Sequence, residues 1–398
     1  MTDNTSTEAS AKTGPLAGLC VADLTQVLAG PYCTRLLADM GAEVIKVESP
    51  SGDPSRALPP RLGAHHSGYF AWLNAGKKSV VADLKTQSGI ALVRELVTRA
   101  DVVVENMRPG SLAAKGLGFE EIRKLNPGVV MCSISAFGNS GALAGRAGQG
   151  IIAEAMAGVI DMNGRADEPP LPMGISLADV SAGIHAYAAI LTALYKRLKM
   201  GGGGEYSDMS LFDACLPFHD NALMEVQTGD ASVNPTRNGS EHRTVVPYGV
   251  YRAPDASFVL AAGTEALWKR LAGLLDGALG ASAVDLGTNE KRVQARAVVR
   301  ERIESWARAI GSAARAIAIL EDIGVPAGPV ESVRDVCAGA LARSRNSFVN
   351  IPDPVLGHIR VLATPFRFSQ TPAGPQEHPP TLGEHTAEIT SRLGKTNT

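Results

Sequence analysis

Between residues 18 and 135, short apolar runs alternate with stretches of helical periodicity, and this alternation restricts the fold more than any other feature of the chain. "GLCVADL" (18–24) reads as a buried strand, "TQVLAG" as a loop, and Pro31 stands where a first-turn proline belongs. "YCTRLLADM" reads as a helix closed by Gly41, and "AEVIKVE" as a second strand, which completes a βαβ unit. The pattern repeats through "SVVADL", "DVVVEN" and "GVVMCSIS" as strands, with "SGIALVRELVTRA" and a short segment ending at Leu125 as helices. Strands that are apolar throughout are buried on both faces, so the expected fold class is α/β, with a parallel sheet covered by helices on both sides.

From residue 151 the pattern turns helical. Ile151–Val159, Val180–Met200 and Leu211–Gln227 read as helices, the second stopped by the glycines at 201–204, with "EYSDMS" as a strand after them. The polar break "TGDASVNPTRNGSEHR" marks a boundary at 228. Beyond it, "VVPYGVYRAPDASFVLAAG" alternates like a hairpin turning at Pro254-Asp255, and helices follow near 264–275, 290–310 and 312–322. The expected organisation is a polar tail (1–14), a large α/β domain (15–227), a small α+β domain (228–330) and a return to the large domain (331–398).

Several function classes are disfavoured. A net charge of −2 gives no broad basic face for nucleic acid or acidic lipid. The five cysteines are scattered with no CxxC pair, and the eight histidines form no cluster, so no metal or redox site is expected. No apolar stretch reads as a membrane span and the N-terminus has no apolar signal core, so a cytoplasmic setting without membrane or nucleic-acid partners is expected. The first strand leads into "LAGP" rather than GxGxxG, no P-loop occurs, and "FGNSGA" lacks the last glycine of a nucleophile elbow.

One carboxylate stands out. In "SLADVSAG" (176–183), Asp179 lies between an apolar lead-in and a helix whose apolar positions recur every three or four residues. A charge beside so much apolar surface is costly unless it is satisfied. It reads either as an N-cap, where Asp is favoured, or as a reagent.

The blocks "LAGLCVADLTQVLAGPYCTRLLADMGAEVIKVESPSGDPSR", "NAGKKSVVADLKTQSG", "ADVVVENMRPGSL", "LNPGVVMCSISAFG", "ISLADVSAGIHA", "VPYGVYRAPD", "GVPAGPV" and "LGEHT", in this order over about 15–393, resemble the family III CoA-transferases. That group includes formyl-CoA and carnitine CoA-transferases and has α-methylacyl-CoA racemase as a relative. The resemblance implies a doubly wound large domain holding both termini, an inserted small domain, and an interlocked homodimer whose site lies between one subunit's large domain and the partner's small domain. It implies that Asp179 is the nucleophile, that the substrates are an acyl-CoA and a small carboxylic acid, and that no cofactor is needed beyond the coenzyme A thioester itself. Gln26, Val27, Leu28 and Ala29 match the first CoA-binding loop. Asp83, Leu84 and Lys85 match an adenine-contacting stretch, and Asn106, Met107 and Arg108 a segment near pantetheine and phosphates. Arg146 matches a basic CoA contact. Ser49 and Ala114 depart from the family's basic residues, with Lys115 as a substitute for the second. Gln149 stands where racemases carry a histidine, so transfer is favoured over racemization, and a non-catalytic CoA-binding protein is the other alternative. Arg237, Glu241, His242 and Arg243 are candidates for recognising the acceptor carboxylate.

Overall fold

The structure, a computed structural model, describes residues 13–63 and 66–394. The tail up to residue 12 lies outside the described residues.

Six strands build the main sheet: β1 (Cys20–Leu24), β2 (Glu43–Glu48), β3 (Lys78–Val81), β4 (Val102–Glu105), β5 (Val130–Ser135) and β6 (Glu205–Ser210). Their order is β3-β2-β1-β4-β5-β6 and every pairing is parallel, so the sheet is doubly wound. Successive residues of the central strands point to opposite faces, and each face has its own core. Val21, Val44, Val102 and Cys132 pack with Cys33, Leu36 and Leu37 of α1 (Ala29–Asp39) and with Ala182, Ala186 and Ile190. Ala22, Ile45, Val103 and Met131 pack on the other side with Val93, Leu96 and Val97, and with Ile389 from the C-terminal helix Thr386–Gly394.

The chain forms two compact units. The larger runs to Val159, resumes over Gly174–Asp220 and takes up the chain again from Ala342. The smaller comprises Ile160–Met173 and Asn221–Leu341, wider than the stretch that the polar break at 228 marks out. It holds the hairpin Tyr248–Arg252/Ser257–Ala261, joined antiparallel by Ala327–Pro329, and helices Glu265–Leu279, Arg296–Ile310 and Ala313–Asp322 around Tyr251, Phe258 and Trp306.

Two helical expectations need correction. Leu211–Gln227 is not one helix: it stops at Cys215, passes through a tight 3₁₀ turn holding Pro217, bends at Asp220 (φ +52°) and restarts as Ala222–Val226. Pro217 lacks the N–H an uninterrupted helix needs. The helix expected at Val180 starts earlier and spans Leu177–Met200, a 24-residue element long and apolar enough by composition to cross a membrane. Here it is the central core helix of the larger unit, with Ala178, Ala182, Ala186 and Ile190 fully buried.

Candidate active site

In a doubly wound sheet the crevice opens beyond the carboxyl ends of the strands where the winding reverses, here between β1 and β4. The loop after β1 carries Gln26–Ala29 and the turn after β4 carries Asn106–Arg108, so the topology brings together two segments far apart in the chain. The Asn106 amide joins them: its Oδ1 accepts the Gln26 N–H and its Nδ2 donates to the Gln26 carbonyl, both at 2.8 Å. From β5 a third loop runs to Arg146 and Gln149. It is pinned at Asn139, whose backbone and side-chain N–H groups donate to Asp208 at 2.8–3.0 Å.

The long helix, Leu177–Met200, crosses close over the start of α1 because Gly183 has no side chain. A Cβ there would sit 2.8 Å from the Ala29 carbonyl oxygen. This approach places the first turn of the helix, and with it Asp179, against the Gln26–Ala29 loop.

Asp179 is not the N-cap. Ser176 holds that position, and no side chain of its own caps the helix. The Ala178 N–H is instead taken by Glu154, which reaches across from the short helix Gly150–Met156 and accepts it on Oε1 at 3.0 Å. Among the described residues no donor reaches the Asp179 carboxylate. Its pKa is pushed up from 3.8 to about 6, first by burial and then by the negative charge of Glu154. Gly150 adds a steric condition: a Cβ there would lie 2.2 Å from Asp179 Oδ2, so the carboxylate occupies the place of a missing side chain.

Asp179 lines a cleft of about 800 Å³. Gln26, Val27, Leu28, Ala29, Asn106, Met107, Arg108, Arg146 and Gln149 line the same cleft. A second cavity of about 280 Å³ is lined by Asp83, Leu84, Lys85 and Lys115, and shares Gln26 and Met107 with the first. All the coenzyme and catalytic residues expected from the sequence thus border two adjoining spaces. Arg108 and Arg146 are exposed, and neither is ion-paired among the described residues. Arg146 lies over the Phe137 ring at 5.7 Å. Ser49 borders the second cavity, so Lys115 and Lys85 supply the positive charge there.

A family model described as CoA-transferase family III matches residues 16–386, almost the whole chain. The chain belongs to CoA-transferase family III. Among its relatives is a succinate–glutarate CoA-transferase of Agrobacterium fabrum, 36% identical over 395 residues, covering 95% of this chain and 96% of the relative. Another, a succinyl-CoA–D-citramalate CoA-transferase of Chloroflexus aurantiacus, is 36% identical over 390 residues, covering 96% and 95%. A crystal structure of a CaiB/BaiF family protein from Brucella suis superimposes with a TM-score of 0.83 at 35% identity, covering 96% of this chain and all of the other. This family III enzyme is a CoA-transferase with the expected α/β fold.

Four residues that shape the cleft of this transferase are not among those expected from its sequence. Glu154, Gly150 and Gly183 act through which helices become neighbours, which no local pattern encodes. Glu154 did carry a signal, a lone charge inside "GIIAEAMAG", the same anomaly that singles out Asp179. Tyr69 also lines the cleft, its hydroxyl pKa raised by burial and by the Asp179 charge. The four acceptor candidates are engaged within the smaller unit. Arg237 pairs with Asp161, Arg243 holds Glu225 with two bonds of 2.6 and 2.7 Å, and Glu241 accepts from Tyr251 and pairs with Arg300. His242 donates its backbone N–H to the Tyr248 carbonyl.

Proposed function

We propose that Asp179 carries the acyl group and then the coenzyme in a two-stage exchange between succinyl-CoA and a short dicarboxylic acid. The observation that supports this most strongly is a carboxylate without a hydrogen-bond donor, its pKa near 6, in the wall of a cleft large enough for a pantetheine arm. A poorly solvated carboxylate is a better nucleophile than a hydrated one.

An Asp179 oxygen attacks the thioester carbonyl, the C–S bond breaks and the CoA thiolate leaves, giving an aspartyl–acyl anhydride. The thiolate then attacks the Asp179 carbonyl carbon. The anhydride C–O bond breaks, the donor acid departs as its carboxylate, and a β-aspartyl-CoA thioester remains. An acceptor carboxylate attacks this thioester and the two steps run in reverse. Protons and electrons balance throughout, and one thioester replaces another, so the chemistry calls for no metal or redox group. Arg108 and Arg146, together with Lys85 and Lys115, supply positive charge for the coenzyme's phosphates. Ile151 and Ile152 contribute apolar wall to the same cleft. The substrate class rests on the relatives, one named for succinate and glutarate and the other for succinyl-CoA and D-citramalate. A racemase would need a second proton carrier, and the amide of Gln149 cannot supply one near neutral pH.

The test is incubation with succinyl-CoA and a panel of free acids, read by mass spectrometry, with hydroxylamine added during turnover. New acyl-CoA and a hydroxamate on the peptide containing Asp179 are expected. Exchange without modification at position 179 overturns the mechanism, and α-hydrogen exchange without acyl exchange overturns the reaction assigned.

The ionised carboxylate is the reactive form, so activity rises as pH climbs through the Asp179 pKa. Glu154→Gln keeps an oxygen for the Ala178 N–H but deletes the charge that raises that pKa. The acid limb of kcat/KM therefore moves to lower pH, while staying above the ordinary aspartate range because burial, the larger cause, persists. A limb that does not move removes Glu154 from the electrostatics of the site.

We also propose that the enzyme works as a homodimer. Exposed Tyr195, Leu198 and Met200 on the long helix favour self-association. Light scattering that finds only monomer at micromolar concentration contradicts this.

A further inference from the structure

Val27 is the one β-branched residue with a positive φ (+67°) among the described residues. A valine pays more for that conformation than Gly, Asn or Asp would, and such outliers persist only when the surroundings fix them. Three side chains fix this one. Asp53 accepts the Val27 N–H on its two oxygens at 3.3 and 3.4 Å. Lys46 pairs with Asp53 at 2.8 Å and donates to the Thr25 carbonyl at 2.9 Å, both side chains being essentially without solvent exposure. Asn106 takes the N–H and carbonyl of Gln26 between them. Thr25, Gln26 and Val27 are therefore each held by the backbone, on the last turn before α1.

The pair is itself braced from behind. The Asp53 N–H donates to Glu48 at 3.0 Å, Asp53 caps the turn at Ser55, and Glu48 is held by Arg56 and Ser79. A buried lysine and aspartate need such coordination to be tolerated at all. Asp53 borders the second cavity, but its carboxylate points into this network.

We propose that Lys46 and Asp53 are positioning residues: their ion pair holds Val27 left-handed and so sets the Gln26–Ala29 loop in the shape that receives acyl-CoA. The proposal rests on the transferase reading for the identity of the ligand, not for the restraint itself. Without the pair, Val27 relaxes to negative φ and carries Gln26 and Leu28 with it. Glycine has no such preference, so the substitution Val27→Gly makes the pair dispensable.

The test compares wild type, the double variant Lys46→Met/Asp53→Ala, which leaves no unpaired buried charge, and the same double variant with Val27→Gly. In the double variant, hydrogen exchange over residues 24–30, measured without substrate, is expected to rise at least tenfold. KM for acyl-CoA is expected to rise at least tenfold and KM for the free acid to stay within threefold. Adding Val27→Gly is expected to recover most of the lost KM for acyl-CoA. Unchanged exchange in the double variant, or no recovery with glycine, overturns the proposal. If the double variant does not fold, Asp53→Asn, made with and without Val27→Gly, supplies the same comparison. A wild type that exchanges no CoA would overturn the transferase reading while the hydrogen-exchange comparison still stands.

Discussion

Asparagine in place of Asp179 is expected to abolish CoA exchange, by about 10⁴-fold or more, and to make the protein more heat-stable. On the proposed mechanism the loss follows from removing the charge of the attacking oxygen. The gain follows from linkage. The folded protein holds this carboxyl at a pKa of about 6 against 3.8 for the free side chain, so it prefers the protonated form. Stability from this group is fully present below pH 3.8 and is lost as pH rises through 6, a cost of up to about 3 kcal/mol above that. Asparagine is neutral at every pH. Its melting temperature is therefore expected to exceed that of the wild type by a few degrees at about pH 8, with the difference fading between about pH 6 and pH 4. Thermal scans of both proteins at the two ends of that range, beside an exchange assay, check both halves. An inactive variant with no stability gain on the alkaline side would mean that the resting carboxylate is not strained. A variant that keeps exchanging CoA would place the nucleophile elsewhere.

Gly150→Ala is expected to cost about 10²-fold in kcat with the fold intact. The new methyl would meet Asp179 Oδ2 at 2.2 Å, an impossible distance, but the obstacle is the end of a rotatable side chain rather than backbone. The carboxylate swings aside and the helix stays. Gly150 has no positive φ, and alanine is the better helix former, so the melting temperature should hold or rise. An ordinary destabilising substitution would lower stability and activity together, whereas here they separate. Activity close to that of wild type would show that the carboxylate has room to react from another rotamer.

The strand alternation was legible because a buried parallel strand must be apolar on both faces, and Val102–Glu105 and Val130–Ser135 can be little else. The order of strands was not legible, since it depends on pairings between residues far apart in the chain. Pro217 stands inside the stretch expected as one helix over 211–227, and its missing N–H marks where that helix breaks. Asp179 attracted attention as a charge among apolar residues, but its freedom from capping depends on Glu154, whose reach across to Ala178 exists only once two helices have packed. The coenzyme residues were carried over from the family resemblance, and they line the two cavities, most of them because they sit just past the carboxyl ends of strands, where position follows from topology. Val27 gave no warning, because a left-handed valine looks like any other valine until the backbone is seen.

The long helix is a single rod with Asp179, the proposed nucleophile, near one tip and bare aromatic and aliphatic surface roughly 30 Å away at the other. Anything that docks on the far tip grips the same rigid body that carries the Asp179 carboxylate. Turnover per molecule should then depend on how much protein is in the tube, falling on dilution and returning on concentration, with no change in the chemistry itself.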